Sequence, residues 1–212
     1  MATTIDNLKA TVAKKGGFAP ANRFNIMFKP PGGLGSFFQT DPEGLVGALA
    51  AGGNPLNVFN DPRDITILCQ QVVIPGRTLT TFDHQDYTHG TKFPYGYIDG
   101  DVVCQFLLTN DYYIRKMFDA WQSAIVDPDK YKIGYKKDYA VDVVIQQLDQ
   151  NDIPIYGVKL LNAYPTLTSD IVLDNAADNT VQRMTVSFAY DKFEAEGPIS
   201  STASAIRAAV GL

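Results

Sequence analysis

The sequence predicts an α+β protein, mainly β, and three observations carry that prediction. Short stretches alternate apolar and polar residues at the two-residue period of a half-buried strand. Proline and glycine punctuate the chain between them, and one segment alone shows a strong helical stripe.

Residues 5–15 read as a short helix with Ile5, Leu8 and Val12 on one face, stopped by Gly16 and Gly17. Asn22 to Lys29 places Phe24, Ile26 and Phe28 on one face of a strand that ends at Pro30-Pro31-Gly32-Gly33. Residues 30–63 concentrate proline and glycine and read as an excursion inserted into the core. Within it, Asp41-Pro42-Glu43 is a helix start, with Leu45, Val46 and Leu49 on the apolar side and Gly52-Gly53 as the stop. Ile65 to Ile74 returns to strand character, Pro75-Gly76 marks a turn, and Arg77 to Phe82 is extended. Asp83 to Gly100 is rich in Tyr, His, Gly, Asp and Thr, has little apolar periodicity, and reads as a polar loop. Asp101 to Thr109 is a strand again, holding Val102, Cys104 and Phe106.

Asn110-Asp111 opens the main helix, the first as cap and the second at the positive end of the dipole. Ile114, Met117, Phe118, Trp121 and Ile125 recur at three- and four-residue spacing, which predicts one buried stripe. The last third is a meander. Val141, Val143 and Ile145 alternate with Asp142 and Gln146, Gln150-Asn151-Asp152 turns, and Ile153 to Asn162 returns. A loop through Pro165 leads to Val181–Phe193, where Met184, Val186 and Phe188 oppose Arg183, Thr185 and Ser187. The expected organisation is a core of residues 1–29 and 64–194, the excursion 30–63, and a mobile tail 195–212, in which Ile206 and Val210 can dock a short helix.

Of 212 residues, 45% are hydrophobic and 19% charged, enough for one packed core. A net charge of −5 argues against a general nucleic-acid binder, which carries a basic footprint. It does not argue against a wall that nucleic acid slides past. The first residues hold no signal-peptide run, and no apolar stretch approaches the length needed to span a bilayer, so no membrane partner is expected. Cys69 and Cys104 sit in strand-like segments and read as reduced core residues, with a bridge open if their strands pair.

No catalytic set stands out, and neither cofactor nor metal is expected. His84 and His89 lie in the polar segment, where a His84-Asp86-His89 grouping lacks anything to rigidify it. Asp99-Gly100-Asp101 lacks the other ligands of a calcium loop, and Gly32-Gly33-Leu34-Gly35 lacks the Lys-Ser/Thr of a phosphate loop. Asp127 and Asp129 flank a proline after the helix and read as solvated.

An ordered set of segments resembles the tail tube proteins of contractile-tailed bacteriophages. Gly17-Phe18-Ala19-Pro20-Ala21-Asn22-Arg23-Phe24 is similar to the family's opening, and Leu68-Cys69-Gln70 through Ile74-Pro75-Gly76 to its second strand. Phe118-Asp119-Ala120-Trp121 resembles its helix, Tyr135-Lys136-Lys137-Asp138-Tyr139 the lead into its late hairpin, and Val186-Ser187-Phe188-Ala189-Tyr190-Asp191 its last strand. The resemblance implies two packed antiparallel sheets, sandwich- or barrel-like, with one flanking helix. It also implies six copies in a ring and rings stacked into a tube. If each copy lends four strands, about 24 strands at roughly 4.8 Å enclose a diameter of about 37 Å, wide enough for duplex DNA.

Such a subunit is a non-enzymatic virion-tail component, assembled in the host bacterial cytoplasm. Its partners would be itself, the sheath, baseplate and tail-terminator proteins, and genomic DNA passing without specific binding. Phe82, Tyr87, Phe93, Tyr95 and Tyr97 are too many aromatics for a freely solvated loop and are expected in an inter-subunit arm, unless they cover the subunit's own core. Asp142, Gln146 and Gln147 are the lumen candidates, because a neutral or acidic wall repels phosphates. The alternatives are a baseplate-proximal tube initiator of the same fold and, from a different class, a small-ligand-binding β-barrel.

Overall fold

The computed structural model describes residues 4–29, 31, 62–86, 89–176, 178, 180–197, 200, 202–204 and 206. The expected helix at Asp41 and Val210 of the tail lie outside these residues.

Helix α1 (Ile5–Lys14) closes as its glycines require: Gly17 donates to the Val12 carbonyl at 2.9 Å, with Gly16 and Gly17 at φ +81° and +107°. None of its residues is buried. Strand β1 (Phe24–Met27) follows. The expected strand from Ile65 begins instead as helix α2 (Pro62–Leu68), and only β2 (Cys69–Val72) is extended. Proline suits the first turn of a helix, and spacings of three and four residues put Ile65, Leu68 and Cys69 toward the core while Ile67 stays exposed. The Thr66 hydroxyl fastens α2 to β1 by donating to the Ile26 carbonyl at 2.6 Å.

The supposed polar loop is a long hairpin, β3 (Arg77–Asp86) and β4 (His89–Asp99). After β5 (Val102–Leu107) comes α3 (Tyr113–Ile125), which buries Tyr113, Ile114, Met117, Phe118 and Trp121 as its stripe requires. Its start is later than expected. Tyr112 holds the cap position at φ 55°, and the Asp111 carboxylate, not Asn110, accepts from the Tyr113 amide at 3.4 Å. A small ribbon, β6 (Val126–Asp127) with β7 (Lys132–Ile133), and the short helix α4 (Lys136–Tyr139) lead into β8 (Val141–Leu148). Strands β9 (Pro154–Thr168), β10 (Arg183–Ala189) and β11 (Lys192–Glu196) complete the described elements.

Seven strands form one antiparallel network in the order β1-β8-β9-β10-β5-β2, with β11 also on β9. The long strand β9 belongs to two sheets. Its first part pairs with β8 and with β11, and its last part, from Tyr164 to Thr168, pairs with β10. The first sheet is therefore β1-β8-β9-β11 and the second β9-β10-β5-β2, and among the described residues the network does not close into a barrel. The switch falls at Asn162, held at φ 54°. Its side chain donates to Asp191 at 2.9 Å and its amide to Asp142 at 3.3 Å, while Lys136 pairs with Asp191. Asparagine tolerates the left-handed region better than most residues, which fits it to a strand corner.

Both sheets turn their apolar rows to one core. Ile26, Val143, Ile145, Val158 and Leu160 come from the first; Val102, Cys104, Phe106, Met184, Val186 and Phe188 from the second. Helix α3 packs into the same cluster, where Phe118 and Trp121 stack at 6.1 Å and Phe188 meets each ring edge-on at 5.8 and 6.2 Å. Burying each such side chain stabilises the fold by roughly 1.5–3 kcal/mol.

Candidate assembly surface

The hairpin β3–β4 pairs from Arg77 opposite Asp99 to Asp86 opposite His89, and none of its side chains with a described environment is buried. Isolated two-stranded hairpins are marginal in water. This one nevertheless carries Leu79, Phe82, Phe93, Tyr95, Tyr97 and Ile98, each between 46% and 69% exposed. The aromatics therefore do not cover their own subunit's core. Phe82 and Phe93 face each other across the ladder at 5.9 Å, Tyr95 lies 6.2 Å from Phe82, and His84 stands edge-on to Phe93 at 6.2 Å. Tyr95 is the extra residue of a β-bulge: Thr80 opposes Gly96 and Thr81 opposes Pro94, leaving Tyr95 unpaired and re-aimed. Tyr87 lies outside the described residues.

The structure thus gathers four of the five predicted arm aromatics on one hairpin and adds Leu79 and Ile98, which sequence reasoning missed. A signal existed, since Arg77 to Phe82 already read as extended. It lacked the second strand needed to make a ribbon of it.

The lumen candidates do not share one face. Adjacent strand residues point to opposite sides, so Gln147 faces with Val143 and Ile145, and its amide nitrogen donates to the Pro20 carbonyl. Gln146 lies on the same face as Asp142 but is buried, 2% exposed, and its amide nitrogen has no partner among the described residues. Asp142 bonds Lys159 at 2.9 Å and Lys192 bonds Glu194 at 2.8 Å. Register sets Glu194 opposite Lys159, so this outward face carries a charged row. The Lys192 ammonium beside Glu194 holds that carboxyl below its ordinary range.

Among the described residues β1 and β2 stand at the two ends of the strand order, and a pocket lined by Phe24, Gln70, Gln71, Ile74 and Gln147 lies between them. Among the described residues, no three His, Cys, Asp or Glu side chains are grouped to hold a metal, and no helix is long and apolar enough to cross a membrane.

A two-sheet antiparallel body with a long, unburied, aromatic hairpin defines the class: a structural subunit with a surface suited to association. The chain belongs to the phage tail tube protein family, whose model matches residues 19–196. That match begins beyond α1 and runs through residues 30–63. No curated protein matches the chain in sequence. Among solved structures, a chain of the anti-feeding prophage baseplate, 6-fold symmetrised, superposes with a TM-score of 0.56 at 18% identity, covering 85% of this chain and 97% of that one. A chain of the PVC sheath–tube complex, an extracellular contractile injection system in the extended state, gives 0.55 at 12%, covering 92% and 99%. A chain of the anti-feeding prophage tube-terminating cap gives 0.56 at 11%, covering 85% and 91%. These likenesses establish the fold.

Proposed function

We propose that the chain is the tube subunit of a contractile phage tail. Copies close into homohexameric rings, and the rings stack into a cylinder whose lumen passes genomic DNA during ejection. The hairpin β3–β4 carries this reading. Its exposed apolar surface is costly in water and exceeds what scattered surface residues explain. For a member of a tube family, a second copy of the same chain is the partner that buries it. Phe82, Phe93, Tyr95 and Tyr97 act as the anchors.

The first sheet supplies the four strands that a wall of about 24 strands asks of each of six copies. Its outward face sets the carboxylates Asp142, Glu194 and Glu196 against the ammonium groups Lys159 and Lys192, a slightly acidic wall that repels phosphates. Asp142 is the lumen candidate this favours, whereas Gln146 is buried and Gln147 lies on the opposite face of β8. The sheath, baseplate and terminator proteins are the further partners of such a tube. The subunit assembles in the bacterial cytoplasm and ends in the virion tail.

Likeness to both a baseplate and a sheath–tube complex keeps the tube initiator as the second reading, since one fold serves several roles. Long homopolymers from pure protein distinguish the tube; discrete rings mark the initiator. The arm is tested by the double substitution Phe82→Ser and Tyr95→Ser. The variant is expected to keep the wild-type circular dichroism spectrum and stay monomeric by light scattering. Tubes formed at the wild-type rate overturn the arm.

A further inference from the structure

The hairpin joins the body through short connections, Val73–Gly76 on one side and Gly100–Asp101 on the other. A methyl group added at Gly76 meets nothing within 4 Å, and one at Gly100 meets only the Gly76 carbonyl at 3.9 Å. Neither glycine answers a steric demand, and beyond the buried Pro75 the two glycines widen the backbone freedom of the joint. A compliant joint cannot aim an arm.

Two side chains oppose that freedom, Arg77 within the hairpin and Tyr190 beside it. Arg77, the first residue of β3, grips Asp99, the last of β4, with Nε to Oδ1 at 2.8 Å and an Nη to Oδ2 at 3.2 Å. Its guanidinium also lies 4.4 Å from the Tyr97 ring centroid on the hairpin and 4.5 Å from that of Phe193 on β11. Phe193 packs against the core, so this stack ties the arm to the body. Next to it, Tyr190 donates its hydroxyl to the Gly100 carbonyl at 2.6 Å, and the Gly100 amide donates to the Gly76 carbonyl at 3.2 Å. Arginine alone among the cations offers a planar fork that can bind a carboxylate through two nitrogens while both faces stack on rings.

We infer that Arg77 is a positioning residue for assembly: its clasp on Asp99, Tyr97 and Phe193 fixes the direction of the hairpin before any partner is met. The inference rests on the arm reading only for its consequence. The clasp itself belongs to the single subunit. Its value lies in preorganisation, because an arm already aimed loses less freedom when it docks.

The test separates the two levels. In the full chain kept below its assembly concentration, spin labels at Lys92→Cys on β4 and Lys116→Cys on α3 report the arm-to-body distance by double electron–electron resonance. The native cysteines are buried, and mass spectrometry confirms that only two labels attach. The parent is expected to give one narrow distribution, and Arg77→Ala a distribution roughly two-fold broader, with the circular dichroism spectrum and Tm near those of the parent. Arg77→Lys keeps the charge but not the fork or the stack, and is expected to broaden the distribution as alanine does. A narrow, parent-like distribution in Arg77→Ala overturns the clasp, and one in Arg77→Lys overturns the role of stacking. Tube assembly by the unlabelled Arg77→Ala protein is expected to slow at least about ten-fold. Broadening without slower assembly keeps the clasp and overturns its role in assembly, whereas failure of the arm reading shows separately, as undiminished tubes from the Phe82→Ser/Tyr95→Ser variant.

Discussion

Trp121 donates its indole N–H to the backbone carbonyl of Tyr139 at 2.9 Å, tying the buried face of the main helix to the residue that leads into β8. The bond joins α3 to α4 at the entrance to β8, next to the core that both sheets share. Trp121→Phe preserves most of the ring stack with Phe118 and removes only the donor. It is expected to lower stability by about 1–3 kcal/mol, the usual cost of leaving a part-buried carbonyl unpaired. Denaturant unfolding followed by circular dichroism checks this, and a loss below about 0.5 kcal/mol would count against the tie.

The strand corner gives a pH dependence. Lys136, and then Asn162, hold the Asp191 carboxyl below its ordinary value. A lowered carboxyl in the folded chain means that the unfolded chain binds the proton more readily. The stability it contributes is present above the ordinary carboxylate pKa and is lost as pH falls through and below it. The denaturation midpoint is expected to drop as the solution is acidified from about pH 5 to about pH 3, and Asp191→Asn to flatten part of that slope. The pair is about half exposed, so the effect is modest. An unchanged slope in the variant would remove the corner from the account of acid stability.

These strands were legible in the sequence where they pack. Arg183–Ala189 alternates because one face meets the common core. Val141, Val143 and Ile145 of β8 mark the face that meets the same core, although Val144 and Gln146 are buried on the other. The stripe from Ile114 to Trp121 is visible because it too meets that core. The hairpin Arg77–Asp99 was not legible as a ribbon because none of its described side chains is buried and its described contact with the body is at its base, through Arg77 and Phe193, so no periodic face marks it. Its aromatics could be singled out; their pairing could not. Pro165 reads as a loop marker, yet it lies in β9 opposite Phe188. Beyond Ala163 that strand pairs on one side only, and a missing amide there breaks no ladder. Asp142 and Gln146 share the face of β8 opposite the common core, where Gln146 is nevertheless buried. Gln147, one residue on, could not share their face.

Cys69 and Cys104 are free and buried on the paired strands β2 and β5. The hydrogen bond that the Cys104 thiol donates to Cys69, and then burial, push the Cys104 thiol well above its ordinary value. Both thiols are expected to react with Ellman's reagent at pH ~8 far more slowly than a free cysteine while the chain is folded, and fully in denaturant. Fast native-state reaction at both positions would show the β2 edge to be open rather than packed.

The subunit-of-a-tube reading is most directly tested by negative-stain electron microscopy of the purified full chain at increasing concentration. Hollow cylinders with a regular ring repeat and a six-fold end view are the expected result. A chain that stays monomeric at every concentration, its hairpin exposed and unpaired, would contradict it.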